Sequence, residues 1–146
     1  MKALVTGGAG FLGSHVTRLL LEQGKDVRVL AQPGTSTHLL DGLDVEVVEG
    51  DLLDRAAVKR AVAGCRELYH MAAIYAVWHP TPDLIYRVNV EGTRHVMESA
   101  LDDGRVEKVV HTSSIAAIGI APGRELADET TAFNAWSIAN EYVMSK

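Results

Sequence analysis

The sequence is poor in the residues that cross-linked, metal-binding and membrane-spanning proteins need. Its 146 residues include one cysteine, Cys65, which excludes an intrachain disulfide and a cysteine-rich zinc site. No apolar run approaches the roughly 18 residues that a membrane-spanning helix requires, and no signal-peptide pattern is seen at the N-terminus. We therefore expect a cytoplasmic protein without a membrane partner.

An excess of positive charge is also missing. Lys and Arg together number 14 and Asp and Glu number 19, which gives a formal net charge of −5. Because such a domain is a poor general binder of polyanions, we expect no nucleic-acid partner. The histidines show no metal-ligand spacing, so no metal site is predicted. With 47% hydrophobic and 23% charged residues, the composition is that of a folded globular domain.

Strand-like apolar runs alternate with segments of helical periodicity. The predicted strands are 3–6, 27–31, 45–48, 67–71 and 108–112, and they read as continuous apolar runs, as strands buried on both faces do. Helices are predicted from 12 to a stop near 24, over 54–62, over 82–101, and from about 134–137 to 146, with a loop at 119–131. This alternation predicts an α/β fold with a doubly wound parallel sheet of strand order 3-2-1-4-5.

A glycine-rich segment separates the first strand from the first helix. Thr6-Gly7-Gly8-Ala9-Gly10-Phe11-Leu12-Gly13 fits both G-x-G-x-x-G and G-x-x-G-x-x-G spacing. Such glycines allow a tight turn, let a pyrophosphate approach the backbone, and pack the helix closely on the strand. The helix N-terminus then offers free N–H groups and partial positive charge to the phosphates. The segment predicts a dinucleotide site rather than a merely tight turn.

The end of the second strand bears on which dinucleotide is bound. Dinucleotide sites often have an acidic residue there for the ribose hydroxyls, whereas this chain has Gln32. The missing carboxylate weakens an NAD-specific interpretation, and the missing arginine leaves a 2′-phosphate without an evident partner. Gln32 and the polar residues after it could hydrogen-bond either cofactor. NAD and NADP both stay open, with a slight preference for NADP.

Three further features carry polar groups suited to chemistry. Tyr142 and Lys146 are four residues apart, hence on one face of the predicted last helix. A nearby ammonium lowers a phenol pKa, so Tyr142 could be a general acid/base for a carbonyl or alcohol. A hydroxyl of Thr112-Ser113-Ser114, at the exit of the fifth strand, could polarise the substrate oxygen. Asn89, on the inner side of the long helix, could brace the backbone or a water there. Each feature alone is also compatible with ordinary solvated or core residues.

Taken in order, these motifs resemble the extended short-chain dehydrogenase/reductase superfamily of NAD(P)-dependent epimerases, dehydratases and reductases. The resemblance is carried by the glycine-rich segment, Gly50-Asp51-Leu52, His70-Met71-Ala72-Ala73, Asn89-Val90-Glu91-Gly92-Thr93, Thr112-Ser113-Ser114, and Tyr142 with Lys146. Within it the chain is most similar to the dihydroflavonol-4-reductase-like branch, which includes homologues of hopanoid-associated sugar epimerases. Residues 27–30, 43–51 and 127–131 support that branch.

The resemblance implies a Rossmann-type fold and roles for particular residues. The catalytic residues would be Ser114, rather than Ser113, with Tyr142, Lys146 and the bracing Asn89. Gly7, Gly10 and Gly13 would shape the pyrophosphate loop, Asp51 and Leu52 would flank the adenine, and Ala72 and Ala73 would line the cofactor. The predicted cofactor contacts are therefore Gly7, Gly10, Phe11, Leu12, Gly13, Gln32, Asp51, Leu52, Ala72, Ala73, Tyr142 and Lys146.

The expected activity is hydride transfer between NAD(P) and a carbonyl or secondary alcohol, with a tyrosine as acid/base. The alternatives are nucleotide-sugar epimerisation through a keto intermediate, and a non-catalytic NAD(P)-sensing protein. A dehydratase is disfavoured because Ile115-Ala116-Ala117 follows Ser114 where such enzymes typically have an Asp-Glu pair. A small carbonyl or nucleotide-sugar substrate and a homodimer are the partners considered. Since family members are longer, residues 1–146 are interpreted as an NAD(P)-binding domain truncated before the last strands and the substrate lobe. Alone, this part is expected to be weakly active or inactive.

Overall fold

Five parallel strands form one sheet in the order β3-β2-β1-β4-β5. The computed structural model describes residues 1–123 and 125–146. The strands are β1 (Lys2–Thr6), β2 (Asp26–Ala31), β3 (Val45–Glu49), β4 (Glu67–His70) and β5 (Lys108–His111). The predicted strand order is confirmed, and each predicted strand agrees with the observed one to within one residue at either end.

The carboxyl ends of the strands meet at one edge of the sheet. Thr6 of β1 is in register with Leu30 of β2 on one side and with His70 of β4 on the other, and His70 is in register with His111 of β5. Residues that follow these strand ends are therefore neighbours although they are distant in sequence. This edge carries the glycine-rich segment, Gln32, Asp51, Ala72 and Ser114.

The helices cover both faces of the sheet. Helix α1 (Phe11–Glu22) follows the glycine-rich segment, and helix α2 (Arg55–Val62) begins where the Asp54 carboxylate accepts the backbone N–H groups of Ala56 and Ala57. Leu4 of β1 joins one buried cluster with residues of α2, whereas Val5 joins a second cluster with Leu20 of α1. Because successive side chains of a strand point to opposite faces, a single apolar strand supplies both layers of the core.

The long helix predicted over 82–101 contains an irregular turn. The structure has helix α3 (Pro82–Tyr86), a π-helical turn over Arg87–Gly92, and helix α4 (Thr93–Asp103), which ends at Gly104 in the left-handed conformation with φ 68°. Apolar spacing does not distinguish an inserted π-helical turn from a regular helix, so the prediction was wrong over that turn. The turn holds Asn89 in a buried position.

The continuous last helix predicted up to residue 146 is also wrong. The chain instead makes a 3₁₀ turn over Trp136–Ile138, extends at Asn140, and forms a short helix, α5 (Glu141–Met144). The Asn140 side chain accepts the backbone N–H of Val143, and this local hydrogen bond starts a new helix at that point. Lys146 consequently lies two residues beyond α5 rather than inside a helix.

Two features are absent from the described part of the chain. No helix in it combines the length and the apolarity needed to cross a membrane. No group of three or more His, Cys, Asp or Glu side chains within residues 1–123 and 125–146 is placed to hold a metal ion.

The single cysteine of the chain, Cys65, is fully buried in the core, where burial raises the pKa of its thiol.

Candidate functional site

A cleft of about 540 Å³ lies at the carboxyl edge of the sheet, where open α/β sheets bind their ligands. Its lining includes ten of the predicted cofactor contacts: Gly7, Gly10, Phe11, Leu12, Gly13, Gln32, Asp51, Leu52, Ala72 and Ala73. Tyr142 and Lys146, the other two, are not among its described lining residues. The structure thus brings the ten together in one place, while their contacts with a cofactor stay predictions.

Two glycines of the glycine-rich segment leave no room for a side chain. A Cβ atom on Gly13 would lie 2.1 Å from the carbonyl oxygen of Gly7, and one on Gly7 would lie 2.8 Å from the backbone nitrogen of Ala72. Gly7 also has a φ of +69°, which side chains disfavour. Gly10 is the N-cap residue of α1 and has no side chain that could accept a hydrogen bond from the helix. The first backbone N–H groups of α1 can therefore donate to another acceptor. This cradle fits a pyrophosphate group.

The far end of the cleft contains the predicted contact Asp51, whose pairing with Gln32 sequence reasoning did not predict. Gln32 donates its amide N–H to Asp51 Oδ2 at 2.9 Å, and Asp51 Oδ1 accepts the backbone N–H of Leu53 at 2.8 Å. The two residues meet because β2 and β3 are adjacent and parallel, so the loops after them leave the same edge. That adjacency was implied by the predicted strand order and could have identified the pair.

A buried histidine links the strands beneath the cleft. The two ring nitrogens of His70 hydrogen-bond with Thr6 Oγ1 at 2.6 Å and Thr93 Oγ1 at 2.8 Å. Thr6 Oγ1 also accepts the backbone N–H of Ala72 at 3.3 Å, which ties the exit of β4 to β1. Burial, together with the nearby charges of His111 and Lys146, lowers the pKa of His70 to about 4. His70 is therefore neutral at pH 7.

The lowered pKa of His70 predicts a loss of stability in mild acid. The unfolded chain binds a proton at an ordinary pKa of 6.5, whereas the folded chain binds it only near pH 4. Stability is therefore complete above pH 6.5 and falls by about 3 kcal/mol as the pH drops to 4. Urea unfolding between pH 7 and pH 5 checks this, with His70→Gln as the comparison. The variant should show a clearly shallower pH dependence, and equal slopes would contradict the prediction.

The structure places Tyr142 and Ser114 side by side. The Tyr142 hydroxyl donates to Ser114 Oγ at 3.5 Å, at the long limit of a hydrogen bond, and Ser114 Oγ also accepts the backbone N–H of Ala116 at 3.1 Å. Lys146 Nζ lies 5.7 Å from the centroid of the Tyr142 ring, and the Tyr75 ring packs edge-on against it at 5.3 Å. Although α5 is short, the side chains of Ser114, Tyr142 and Lys146 thus still lie close together at the exit of β5.

Asn89 connects the π-helical turn to two other segments. Its side-chain oxygen accepts the backbone N–H of Ile74 at 2.7 Å, and its amide donates to the Ile74 carbonyl at 3.1 Å and to Ser145 Oγ at 2.9 Å. Ser145 Oγ in turn donates to the Tyr142 carbonyl at 2.7 Å. These are the contacts of a backbone brace between the loop after β4 and the segment carrying Tyr142. A catalytic role for Asn89 stays a prediction.

The parallel sheet, the glycine cradle and the cleft at the carboxyl edge define an α/β domain of the Rossmann type. The chain belongs to the NAD dependent epimerase/dehydratase family, whose family model matches residues 3–146. This confirms the resemblance to the extended short-chain dehydrogenase/reductase superfamily that the sequence motifs indicated.

Individual relatives agree with this assignment. The chain is 39% identical over 142 residues to a putative dihydroflavonol 4-reductase of Synechocystis sp., covering 97% of this chain and 41% of that protein. It is 43% identical over 122 residues to sterol demethylase protein B of Methylococcus capsulatus, covering 84% of this chain and 37% of that protein.

A solved structure shows the same fold. The UDP-glucose 4-epimerase of Thermus thermophilus in complex with NAD superimposes with a TM-score of 0.84 at 34% identity, covering 100% of this chain and 47% of that one. The chain thus spans about two fifths of the length of the curated relatives and just under half of that epimerase.

Proposed function

We propose that residues 1–146 form the NAD(P)-binding domain of an oxidoreductase that transfers hydride between nicotinamide and a carbonyl or secondary alcohol. The observation that carries this proposal is the pair of hydroxyl groups of Tyr142 and Ser114, 3.5 Å apart at the exit of β5. The glycine cradle lies at the same edge of the sheet and fits the pyrophosphate of a dinucleotide. A proton-transferring group beside a dinucleotide site is what carbonyl reduction requires.

The roles follow from the chemistry of the groups. When bound, the dinucleotide supplies or accepts the hydride. Tyr142 donates a proton to the substrate oxygen, or takes one from an alcohol, and Ser114 donates a hydrogen bond that polarises the same oxygen. Lys146 would hydrogen-bond a ribose hydroxyl, and its Nζ lies 5.7 Å from the centroid of the Tyr142 ring. Asn89 keeps the Tyr142 segment in place through Ser145.

The charges of the cleft favour NAD over NADP, against the slight preference drawn from the sequence. The described residues that line the cleft include the Asp51 carboxylate but no lysine or arginine. A 2′-phosphate would therefore meet a negative charge and find no cation to offset it. The hydrogen bond from Gln32 holds Asp51 at the end of β2, where the adenosine ribose is expected. We propose NAD as the preferred cofactor on this ground.

A substitution at Gln32 should shift this preference. Gln32→Arg places a cation beside Asp51 that can pair with a 2′-phosphate, and we expect the affinity for NADP⁺ to rise by about tenfold or more relative to NAD⁺. Calorimetric titration with both cofactors measures the ratio. Gln32→Leu is the matched control, because it removes the hydrogen bond to Asp51 without adding charge. A wild-type protein that binds NADP⁺ more tightly than NAD⁺ would contradict the proposal.

Epimerisation of a nucleotide sugar is the second candidate. The UDP-glucose 4-epimerase that shares the fold at 34% identity supports it. Product analysis separates the two activities, since a reductase converts NAD(P)H to NAD(P)⁺ in step with product and an epimerase returns its cofactor unchanged. Binding of cofactor without turnover of either substrate class would instead favour the sensing protein. Dehydration is not proposed, because the residues after Ser114 are Ile115, Ala116 and Ala117, without a carboxylate. Homodimerisation and a cytoplasmic location stay predictions.

A further inference from the structure

A very short helix carries two of the residues to which the proposed function gives roles. Helix α5 spans Glu141–Met144, so Tyr142 lies inside it and Lys146 two residues beyond its end. A helix of this length is not stable by itself, because fixing the first turn costs more conformational entropy than its few hydrogen bonds return. The placement of Tyr142 and Lys146 therefore depends on contacts between residues 140–146 and the rest of the fold.

One hydrogen bond of ordinary length ties residues 140–146 to another element. Among the hydrogen bonds of the described residues, two join this segment to the rest of the chain. The bond from Tyr142 to Ser114 is 3.5 Å long, whereas Asn89 donates a side-chain N–H to Ser145 Oγ at 2.9 Å. Ser145 Oγ in turn donates to the Tyr142 carbonyl at 2.7 Å. Ser145 is thus the shorter polar link between this segment and the fold.

Asn89 connects this link to the wall of the cofactor cleft. Its side chain is buried, and it accepts the backbone N–H of Ile74 at 2.7 Å and donates to the Ile74 carbonyl at 3.1 Å. Ile74 lines the cleft, together with Ala72 and Ala73 before it. With the bond to Ser145, both N–H groups of the Asn89 amide are used. One buried side chain therefore joins the cleft wall to the segment that carries Tyr142.

We propose that Ser145 is a positioning residue that couples the cofactor cleft to the placement of Tyr142 and Lys146. A dinucleotide packed against the loop at Ile74 orders that loop, and the bonds of Asn89 then stabilise α5 through Ser145. The inference rests on the proposed function, since it assumes a dinucleotide in the cleft and Tyr142 in the chemistry. It goes further by assigning a role to Ser145 and an energetic link between the cleft and the reacting groups.

The coupling can be measured without cofactor, because a coupling free energy between two sites is reciprocal. Loss of the Ser145 hydroxyl leaves a buried N–H of Asn89 without its acceptor, which weakens the hold of Asn89 on Ile74. In Ser145→Ala, hydrogen exchange followed by NMR should show the Ile74 amide exchanging about fivefold faster than in the wild type. Ser145 and Ile74 share no hydrogen bond of their own, so the effect must pass through a third residue.

Two variants serve as controls for the substitution itself. Ser145→Thr keeps a hydroxyl at the same position, and the Ile74 amide should exchange within about twofold of the wild-type rate. Ser137→Ala is the matched control, because it removes an exposed hydroxyl from the 3₁₀ turn that precedes α5. It should leave the exchange of Ile74 unchanged.

Two comparisons separate the route through Asn89 from other routes. The backbone N–H of Leu53 is held by a side-chain hydrogen bond at the other end of the cleft, and its exchange should be the same in Ser145→Ala as in the wild type. Tyr75 directly follows Ile74, and its ring packs edge-on against a ring of α5, so it offers a second connection. The response of Ile74 to Ser145→Ala should therefore persist when Tyr75→Ala is added.

NAD⁺ tests the coupling in the forward direction. The Met144 amide donates to the Asn140 carbonyl inside the segment, and its exchange should slow by about fivefold in the wild type at saturating NAD⁺. In Ser145→Ala the slowing should be less than about twofold, although calorimetric titration should still show NAD⁺ binding.

Several outcomes would overturn the inference. An unchanged Ile74 rate in Ser145→Ala, an equal response at Leu53, or loss of the response when Tyr75→Ala is added would each do so. Equal slowing of Met144 by NAD⁺ in the wild type and in Ser145→Ala would also do so. The exchange measurement without cofactor needs no turnover, so it can fail while the proposed oxidoreductase stands. Conversely, a protein whose Ile74 amide responds as expected but that turns over no ketone or aldehyde would contradict the proposed function and support the coupling.

Discussion

Gly13→Ala is expected to abolish dinucleotide binding, with an affinity for NAD⁺ lowered by about 100-fold or more. The added Cβ would lie 2.1 Å from the Gly7 oxygen and 2.8 Å from the Gly8 Cα atom. Both contacts are to backbone, so no side-chain rotation can relieve them, and the loop must move by about an ångström. Gly7 has little space on its Ala72 side, because even a Cβ atom there would lie 2.8 Å from the Ala72 backbone nitrogen. We therefore expect the displaced loop to lose the backbone arrangement that would receive the pyrophosphate.

Calorimetric titration with NAD⁺ measures this loss. Gly24→Ala is the matched control, because Gly24 has a φ of +72° but no atom within 4 Å of an added Cβ, and it follows α1 at the end away from the cleft. Its conformational strain should cost about 1 kcal/mol of stability and leave NAD⁺ binding unchanged. Gly13→Ala that is folded and binds NAD⁺ as the wild type does would show that the cradle does not hold the pyrophosphate.

The central strands β1, β2 and β4 could be predicted from the sequence because they are largely buried on both faces, whereas the expectation of burial on both faces is wrong for the edge strands β3 and β5, which are mostly exposed. Val27, Val29 and Leu30 of β2 are at most 3% exposed, so the strand appears in the sequence as an apolar run with sharp ends. The glycine-rich segment was equally predictable, since close packing leaves glycine as the residue that fits. The predicted strand order then indicated which strands have neighbouring carboxyl ends at the cleft.

The irregular segments could not be predicted, because their structure depends on single hydrogen bonds rather than on periodicity. Asn140 starts a separate short helix through its bond to Val143, and no apolar spacing reveals that. The π-helical turn around Asn89 is tied to Ile74, which is 15 residues away in sequence. Such contacts arise only once the sheet has placed the loops.

Tyr142→Phe is expected to abolish turnover while cofactor binding survives. The substitution removes one oxygen atom and keeps the ring that Lys146 and Tyr75 contact, so the packing around it is retained. Ser114 Oγ loses only a long hydrogen bond of 3.5 Å and keeps its bond to Ala116. Loss of a positioned acid/base lowers rates by about 10²–10⁴-fold, and we expect turnover to fall within or below that range.

Steady-state assays of NADH oxidation with a panel of ketones and aldehydes, together with titration of NAD⁺, separate catalysis from binding. The affinity for NAD⁺ should change by less than about threefold, because a ribose contact from Lys146 does not depend on the phenol oxygen. Tyr75→Phe is the matched control, since it removes a hydroxyl from the neighbouring ring of the same edge-on pair, and it should keep turnover close to that of the wild type. A folded Tyr142→Phe protein that retains turnover would remove Tyr142 from the chemistry, because the phenyl ring has no proton to transfer. Loss of NAD⁺ binding in that variant would instead assign the Tyr142 hydroxyl to the cofactor site.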